Sequence, residues 1–215
     1  MNPKITVMLV DDHAVVRAGY RLLLSQTEQI TVISEAERGE EACQYYLETQ
    51  PDVIVMDLSL PGIGGLAAIS RITNRDPSAK ILVFSIHDEL VYVVRALEAG
   101  AKGYITKSSA PETLVEAVLK IAAGETFVEP EIAQKLLMQT VLNKEAPTPI
   151  NSLSPREFDV FCLLAKGYTT HEVAVELCLS YKTIANYMTL IKGKLNVHTT
   201  AEMARLAYQY GLIKP

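Results

Sequence analysis

Pro51-Asp52-Val53-Ile54-Val55-Met56-Asp57-Leu58-Ser59-Leu60-Pro61-Gly62 decides how the first half of the chain folds. Val53 to Met56 are uniformly apolar, too short a run for a helix, and without the alternation of a strand that has one wet face. They form a strand buried on both sides, and such a strand requires helices above and below its sheet. It ends on a carboxylate, Asp57, and the chain then meets the turn signal Pro61-Gly62. Outward from it the same pattern repeats. Ile5 to Val10, Ile30 to Ser34, Lys80 to Phe84 and Gly103 to Ile105 are further apolar strands, each followed by an amphipathic stretch. The helices run over Ala14 to Ser25, Gly39 to Glu48, Gly65 to Asn74, Glu89 to Ala99 and Pro111 to Ala123, with Gly100 as a stop and Pro111 in a first turn. Residues 1–124 are therefore expected to be α/β, a doubly wound parallel sheet of five strands.

A chain of 215 residues, 49% hydrophobic and 21% charged, has the balance of an ordinary globular protein, which excludes disorder. Its longest apolar runs are strand-sized, so no membrane span is expected. Met1-Asn2-Pro3-Lys4 leads straight into the first strand without a signal peptide, giving an expectation of a cytoplasmic protein. Cys43, Cys162 and Cys178 form no CxxC pair and have no histidines at ligand spacing, so they read as buried or idle thiols.

Pro130 to Leu142 has the pattern of one more helix, and Asn143 to Asn151 contains two prolines with no periodicity, which together make 125–151 a linker with a helix. Residues 152–215 then form a small all-α domain. Ser154-Pro155-Arg156-Glu157 and Thr169-Thr170-His171-Glu172 are capping boxes, and Ser180 and Thr199 cap two more helices. Charge divides at the same place: 13 Lys+Arg against 20 Asp+Glu in residues 1–151, net −7, then 7 against 5 in residues 152–215, net +2. Lys182, Lys192 and Lys194 lie in a stretch with no carboxylate between Leu177 and Ala201, which favours a polyanion partner.

In an open parallel sheet the site lies beyond the carboxyl ends of the strands. The first strand ends at Asp11-Asp12, the third at Asp57, the fourth at Ser85, and the fifth leads to Lys107. Three carboxylates on one rim are unfavourable without a cation, and an all-oxygen set suits Mg2+. Lys107 and Ser85 supply a positive charge and a hydroxyl for phosphoryl oxygens, so the set describes phosphorylation of a carboxylate. Taken singly, Asp11 or Asp12 reads as a helix cap, Ser85 as a loop hydroxyl, Lys107 as a solvated lysine and Tyr104 as core; their conjunction at the strand ends favours a site.

Asp11-Asp12, Met56-Asp57, Leu60-Pro61-Gly62, Ser85, Ala99-Gly100-Ala101-Lys102-Gly103-Tyr104 and Lys107 resemble the flavodoxin-like receiver domain of two-component response regulators, over about residues 4–124. The resemblance implies that Asp57 takes a phosphoryl group from a sensor histidine kinase. It implies that Asp12, Asp57 and the main-chain carbonyl of Ser59 bind Mg2+, with Asp11 acting through water, and that Ser85 and Tyr104 form a switch pair. Where many receivers have proline after the lysine, this chain has Ser108. His87, two residues past Ser85, is expected at the entrance to the site.

From Tyr181 to Leu195, apolar Ile184, Met188, Ile191 and Leu195 make one inward stripe. Lys182, Ala185, Asn186, Thr189 and Lys192 then face outward, toward a major groove, with Thr183 and Lys194 added as candidate contacts. Glu172 to Cys178 is the preceding helix, a helix-turn-helix spacing. Leu153-Ser154-Pro155-Arg156-Glu157, Leu164-Ala165-Lys166-Gly167, Glu172-Val173-Ala174, Leu179 to Ile184 and Lys194-Leu195 resemble the LuxR-type helix-turn-helix over residues 152–213. Together the two resemblances imply a response regulator of the NarL/FixJ subfamily, a transcription factor rather than an enzyme. Its implied partners are a kinase, double-stranded promoter DNA, a second copy upon phosphorylation and, indirectly, RNA polymerase. His171, Ala185 and Thr189 depart from the residues common in that family, and Gly193 inside the recognition helix costs about 1 kcal/mol relative to alanine. Two alternatives stand beside it. A phosphohydrolase with an aspartate nucleophile needs a second acid two residues on, and Asp57 is followed by Leu58-Ser59. A receiver that dimerises without phosphate has no need of Asp12, Asp57, Ser85 and Lys107 together.

Overall fold

Short apolar strands that are stable only when covered from both sides set the architecture of the first half. The computed structural model describes residues 3–142 and 149–213, which fall in two units, Met1–Gln139 and Thr140–Pro215. In the first, β1 (Ile5–Val10), β2 (Ile30–Ala36), β3 (Val53–Met56), β4 (Ile81–Ser85), β5 (Gly103–Thr106) and β6 (Phe127–Val128) form one parallel sheet in the order β2-β1-β3-β4-β5-β6. Between them run α1 (Ala14–Ser25), α2 (Gly39–Thr49), α3 (Gly65–Arg75), α4 (Leu90–Glu98) and α5 (Pro111–Ala122), and α6 (Pro130–Leu142) follows β6. Every residue of β3, β4 and β5 is buried, as strands sandwiched by helices must be. One face of the sheet packs Val7, Leu9, Val55, Leu82 and Ile105 against Leu114, Val118 and Ile121 of α5.

Two expectations from sequence are corrected here. The sheet has six strands among the described residues, not five: Phe127 N–H donates to Lys102 O at 3.1 Å and Glu129 N–H to Tyr104 O at 3.1 Å, which adds β6 to the edge. Two residues are too few to carry a periodicity, so the strand was illegible. The stretch from 125 onward therefore begins as part of the first unit, and Ile132 of α6 is 2% exposed. At the other edge β2 is not buried throughout. Its register with β1 shifts between Val7 and Met8, the bulge leaves Ile33 41% exposed, and an edge strand tolerates this.

The second unit consists of a 3-10 turn (Pro149–Ser152), α7 (Pro155–Ala165), α8 (Thr170–Glu176), α9 (Tyr181–Leu195) and α10 (Thr200–Gln209). Ser154, Thr169 and Thr199 each complete a capping box with Glu157, Glu172 and Glu202, and Ser180 caps α9 through Thr183 N–H. Ile150, expected in the tether, is fully buried, while residues 143–148 of that tether lie outside the described residues. Phe158, Phe161, Ile184, Ile191 and Met203 are fully buried and make the core.

The turn from β3 into α3 is the tightest point near the sheet rim. Gly65 N–H donates to Leu58 O at 3.1 Å, and a Cβ on Gly65 would collide with Asp57 main-chain O and come within 2.6 Å of Leu58 Cα. Backbone cannot swing aside as a side-chain tip can. Gly65→Ala should cost roughly 1–3 kcal/mol, the ordinary range for overpacking, seen as a lower urea midpoint with unchanged slope. A midpoint equal to that of the native chain would show that the turn can open.

Candidate functional site

Asp11 and Asp12 follow β1, Asp57 follows β3, Ser85 ends β4 and Lys107 follows β5, so the order β1-β3-β4-β5 brings all of them to one rim. Asp11 and Asp57 are 4% and 3% exposed. Both are held by one cation: Lys107 Nζ donates to Asp11 Oδ2 at 2.5 Å and to Asp57 Oδ2 at 2.7 Å. Burial works against the ammonium, but the charges of Asp57 and Asp11 and its hydrogen bonds to both outweigh it and raise the lysine above its ordinary pKa. The other carboxylate oxygens take main-chain donors. His13 N–H reaches Asp11 Oδ1 at 2.9 Å and Ser59 N–H reaches Asp57 Oδ1 at 3.2 Å.

Asp12 stands further out, its side chain one-third exposed, with its Oδ1 2.8 Å from His13 Nδ1. Among the described residues, the ligand atoms that converge are those of Asp11, Asp12 and His13, within 4.8 Å of one another, and Asp57 joins Asp11 through Lys107 instead. The donor chemistry still fits a hard divalent cation. Asp11, Asp12 and Asp57 carry three carboxylates against the one ammonium of Lys107, an excess that a cation would neutralise.

Ser85 is fully buried, and its Oγ accepts from His87 N–H at 3.4 Å. Tyr104 is fully buried too, its hydroxyl donating to His87 O at 2.8 Å, and burial pushes its phenol well up while a hydrogen bond from Ser85 works the other way. His87, expected at the entrance, is 13% exposed in its side chain. Its Nε2 lies 3.2 Å from Ser59 Oγ, and its ring stacks on Tyr92 at 3.9 Å between centroids. Ser59, Ser85, His87 and Tyr104 thus form one bonded group beside Asp57.

Arg17 was not legible as a site residue. It lies on α1, 7% exposed, and donates to Asp11 main-chain O at 2.5 Å, Glu37 Oε1 at 2.5 Å and Glu35 Oε2 at 3.2 Å. An arginine in a helix reads as solvated unless its tertiary partners are known; the available signal was its place among Val16 and Tyr20 on an apolar face.

In the second unit Lys182, Asn186 and Thr189 are exposed, Thr183, Ala185 and Lys192 are half-buried, and Ile184, Ile191 and Leu195 are buried. Thr183 Oγ1 lies 2.8 Å from Ser180 Oγ and belongs to the cap of α9. Thr189 Oγ1 donates to Ala185 O at 3.0 Å, which occupies its hydroxyl within the helix. Lys194 is exposed as well, and its Nζ lies 2.6 Å from Glu157 Oε2 and 3.3 Å from Ser152 O, which pairs a 5% exposed carboxylate on α7. Next to it, Arg156 Nη2 donates to Leu177 O at 2.9 Å, where the chain turns from α8 toward α9 through Cys178 at φ +52°.

Residues 7–119 match the model of the response regulator receiver domain, and residues 151–207 match that of the bacterial regulatory proteins of the luxR family. The transcriptional activator protein ExaE of Pseudomonas putida is 40% identical over 97% of this chain and 98% of its own length. RcsB of Salmonella enterica serovar Typhimurium, solved bound to promoter rprA in the presence of phosphomimetic BeF3-, superposes with a TM-score of 0.64 at 26% identity, over 94% of this chain and 98% of that one. A structure of two RcsB dimers bound to two parallel DNAs gives a TM-score of 0.60 at 28% identity, over 95% and 98%. No described helix is long and apolar enough to cross a membrane.

The pairing of Glu157 carries a prediction. Burial raises its carboxyl, but Lys194 and Ser154 together outweigh burial and hold it below the usual carboxylate range. A depressed folded pKa gives stability that is present above the unfolded value of about 4.3 and lost as pH falls through the folded value. Lys194→Met should therefore destabilise the second unit by about 1–3 kcal/mol at neutral pH, read from urea unfolding, with the deficit shrinking below about pH 4. A deficit independent of pH would mean that lost packing, not charge, is responsible.

Proposed function

The chain belongs to the response regulators that join a receiver domain to a LuxR-type DNA-binding domain, and from that premise we propose that Asp57 accepts a phosphoryl group from a sensor histidine kinase and thereby controls binding of α9 to double-stranded promoter DNA. The observation that carries this is the Lys107 ammonium shared between two buried carboxylates. Asp57 is buried beside a counter-charge that is not committed to it alone, as a nucleophile for phosphorus requires. As its oxygen forms the O–P bond, the P–N bond to the donor histidine breaks and the electron pair returns to the imidazole. Lys107 stabilises the negative charge on the transferring oxygens, and the Ser85 hydroxyl is the donor assigned to another of them. Asp12, Asp57 and the main-chain carbonyl of Ser59, with Asp11 through water, are the groups that would hold Mg2+, which when bound supplies further charge neutralisation to the phosphoryl group. Ser85 and Tyr104, joined through His87, are the pair by which the change leaves the site.

Asp57→Asn should gain no phosphoryl mass from acetyl phosphate and Mg2+ while keeping the fold by circular dichroism. A variant that still acquires phosphate on an aspartate would remove Asp57 from the reaction.

On DNA, Lys182 and Lys192 supply phosphate contacts, and Asn186 offers a donor and an acceptor to an adenine edge. Ala185 and the Thr189 methyl meet thymine methyls. So few cations hold a site weakly, and two copies on one duplex gain by effective concentration, which favours dimer formation on phosphorylation. RcsB dimers on DNA support that arrangement. With Lys194 engaged by Glu157, two lysines per subunit remain in the recognition region. The logarithm of affinity should then fall against the logarithm of salt with a slope of about −4 per dimer. Asn186→Ala should relax preference at one base position per half-site, and Lys182→Ala should flatten the slope by about 2. A native slope steeper than about −8 would show that other cations carry the contact.

A further inference from the structure

We propose that Glu129 is a positioning residue that latches α6 onto the end of β5 while Asp57 is unmodified and releases it when Asp57 carries a phosphoryl group. The inference rests on the assignment of Asp57 as phosphoacceptor. Glu129 sits where the chain leaves the sheet for the helix. Its N–H donates to Tyr104 O at 3.1 Å, extending the ladder of β6 on β5, while its own carbonyl accepts from Ala133 N–H at 2.9 Å and so starts α6. Pro130 ends the strand, and no carbonyl of β6 is left to meet the next donor of β5, Thr106 N–H. The Glu129 carboxylate takes that place: its Oε2 accepts from Thr106 N–H at 3.2 Å and from Thr106 Oγ1 at 3.1 Å.

Thr106 is 6% exposed and immediately precedes Lys107, whose N–H donates to Ser85 O at 2.8 Å. Three consecutive functions therefore lie on one short strand end: Tyr104 bonded to His87, Thr106 bonded to Glu129, and Lys107 bonded to Asp11 and Asp57. Phosphorylation replaces the carboxylate of Asp57 by an acyl phosphate, a net gain of about one negative charge beside this end, which weakens a carboxylate held there by two hydrogen bonds and engages the lysine elsewhere. A second polar tie of α6 to the rim is Lys135 Nζ to Asp88 Oδ2 at 3.7 Å, with both side chains about half exposed. An ion pair that open contributes little, so the Glu129 bonds to Thr106 are the stronger of these two polar ties.

The test is hydrogen exchange on the full chain, with and without acetyl phosphate and Mg2+, with intact mass read from the same samples. In the native chain, phosphoryl uptake should speed exchange of Thr106 and of residues 131–136 about fivefold, the factor that one lost ordinary hydrogen bond produces. Glu129→Ala should exchange fast before any uptake and gain nothing after it. Glu129→Gln keeps the acceptor without the charge, so it should stay slow in both states, a response that a merely structural role would not give. Uptake with exchange in α6 unchanged or slowed, or a Glu129→Gln chain that responds like the native one, overturns the latch while leaving Asp57 as phosphoacceptor. Failure of the native chain to take up phosphate overturns that assignment and the latch with it.

Discussion

One ammonium between two buried carboxylates fixes the geometry of the first unit. Lys107 lies past β5, Asp57 past β3 and Asp11 past β1, with β4 between. Neighbouring strands are about 4.8 Å apart, so the lysine reaches across two spacings to Asp57 and a third to Asp11, which takes a long side chain anchored at its root. Ser85 O provides the anchor by accepting the Lys107 N–H at 2.8 Å. Register is bound to this contact. A slip of one residue in β5 would turn Lys107 to the opposite face and leave two carboxylates buried without a counter-charge, a loss of several kcal/mol.

What was legible in the sequence follows from that constraint. Uniform apolar runs have no stable place except a covered sheet, so β1, β3 and α1 begin and end where the pattern put them. The chemistry was legible because the site lies at strand ends, and strand ends can be read from where an apolar run stops. Three things escaped for separate reasons. β6 is two residues long and is defined by its partner, not by its own pattern. Arg17 and Glu129 read as solvent-facing charges, since nothing local distinguishes a guanidinium that meets Asp11 O from one that meets water. The pairing of Lys194 with Glu157 was hidden because the two lie 37 residues apart and Glu157 already had a local role as a cap.

Glu157 serves two elements at once. Its Oε2 accepts Ser154 N–H at 2.7 Å, completing the cap of α7, and takes Lys194 of α9. Arg156 beside it holds the carbonyl of Leu177 at the end of α8. Two adjacent residues on α7 thereby fix both helices of the helix-turn-helix against a third, and the exposed Lys182, Asn186 and Thr189 are presented on a rigid support. A reading surface needs that rigidity, because misplacing a side chain by an ångström forfeits a bidentate contact.

The two units use buried ion pairs in opposite ways, and the difference bears on which of them can switch. In the second, one carboxylate has one lysine and one cap donor, a satisfied set whose rupture would cost the same ~1–3 kcal/mol and would loosen the support. In the first, one lysine serves two carboxylates while a third stands nearby with His13, so the set is short of positive charge before anything is added. On the proposed chemistry, moving the ammonium toward a phosphoryl oxygen changes one partner among three and leaves no satisfied pair broken. A small free-energy difference between the two arrangements is what lets a modification shift the population from one to the other. A rim that paired each charge fully would be more stable and, for that reason, would not respond.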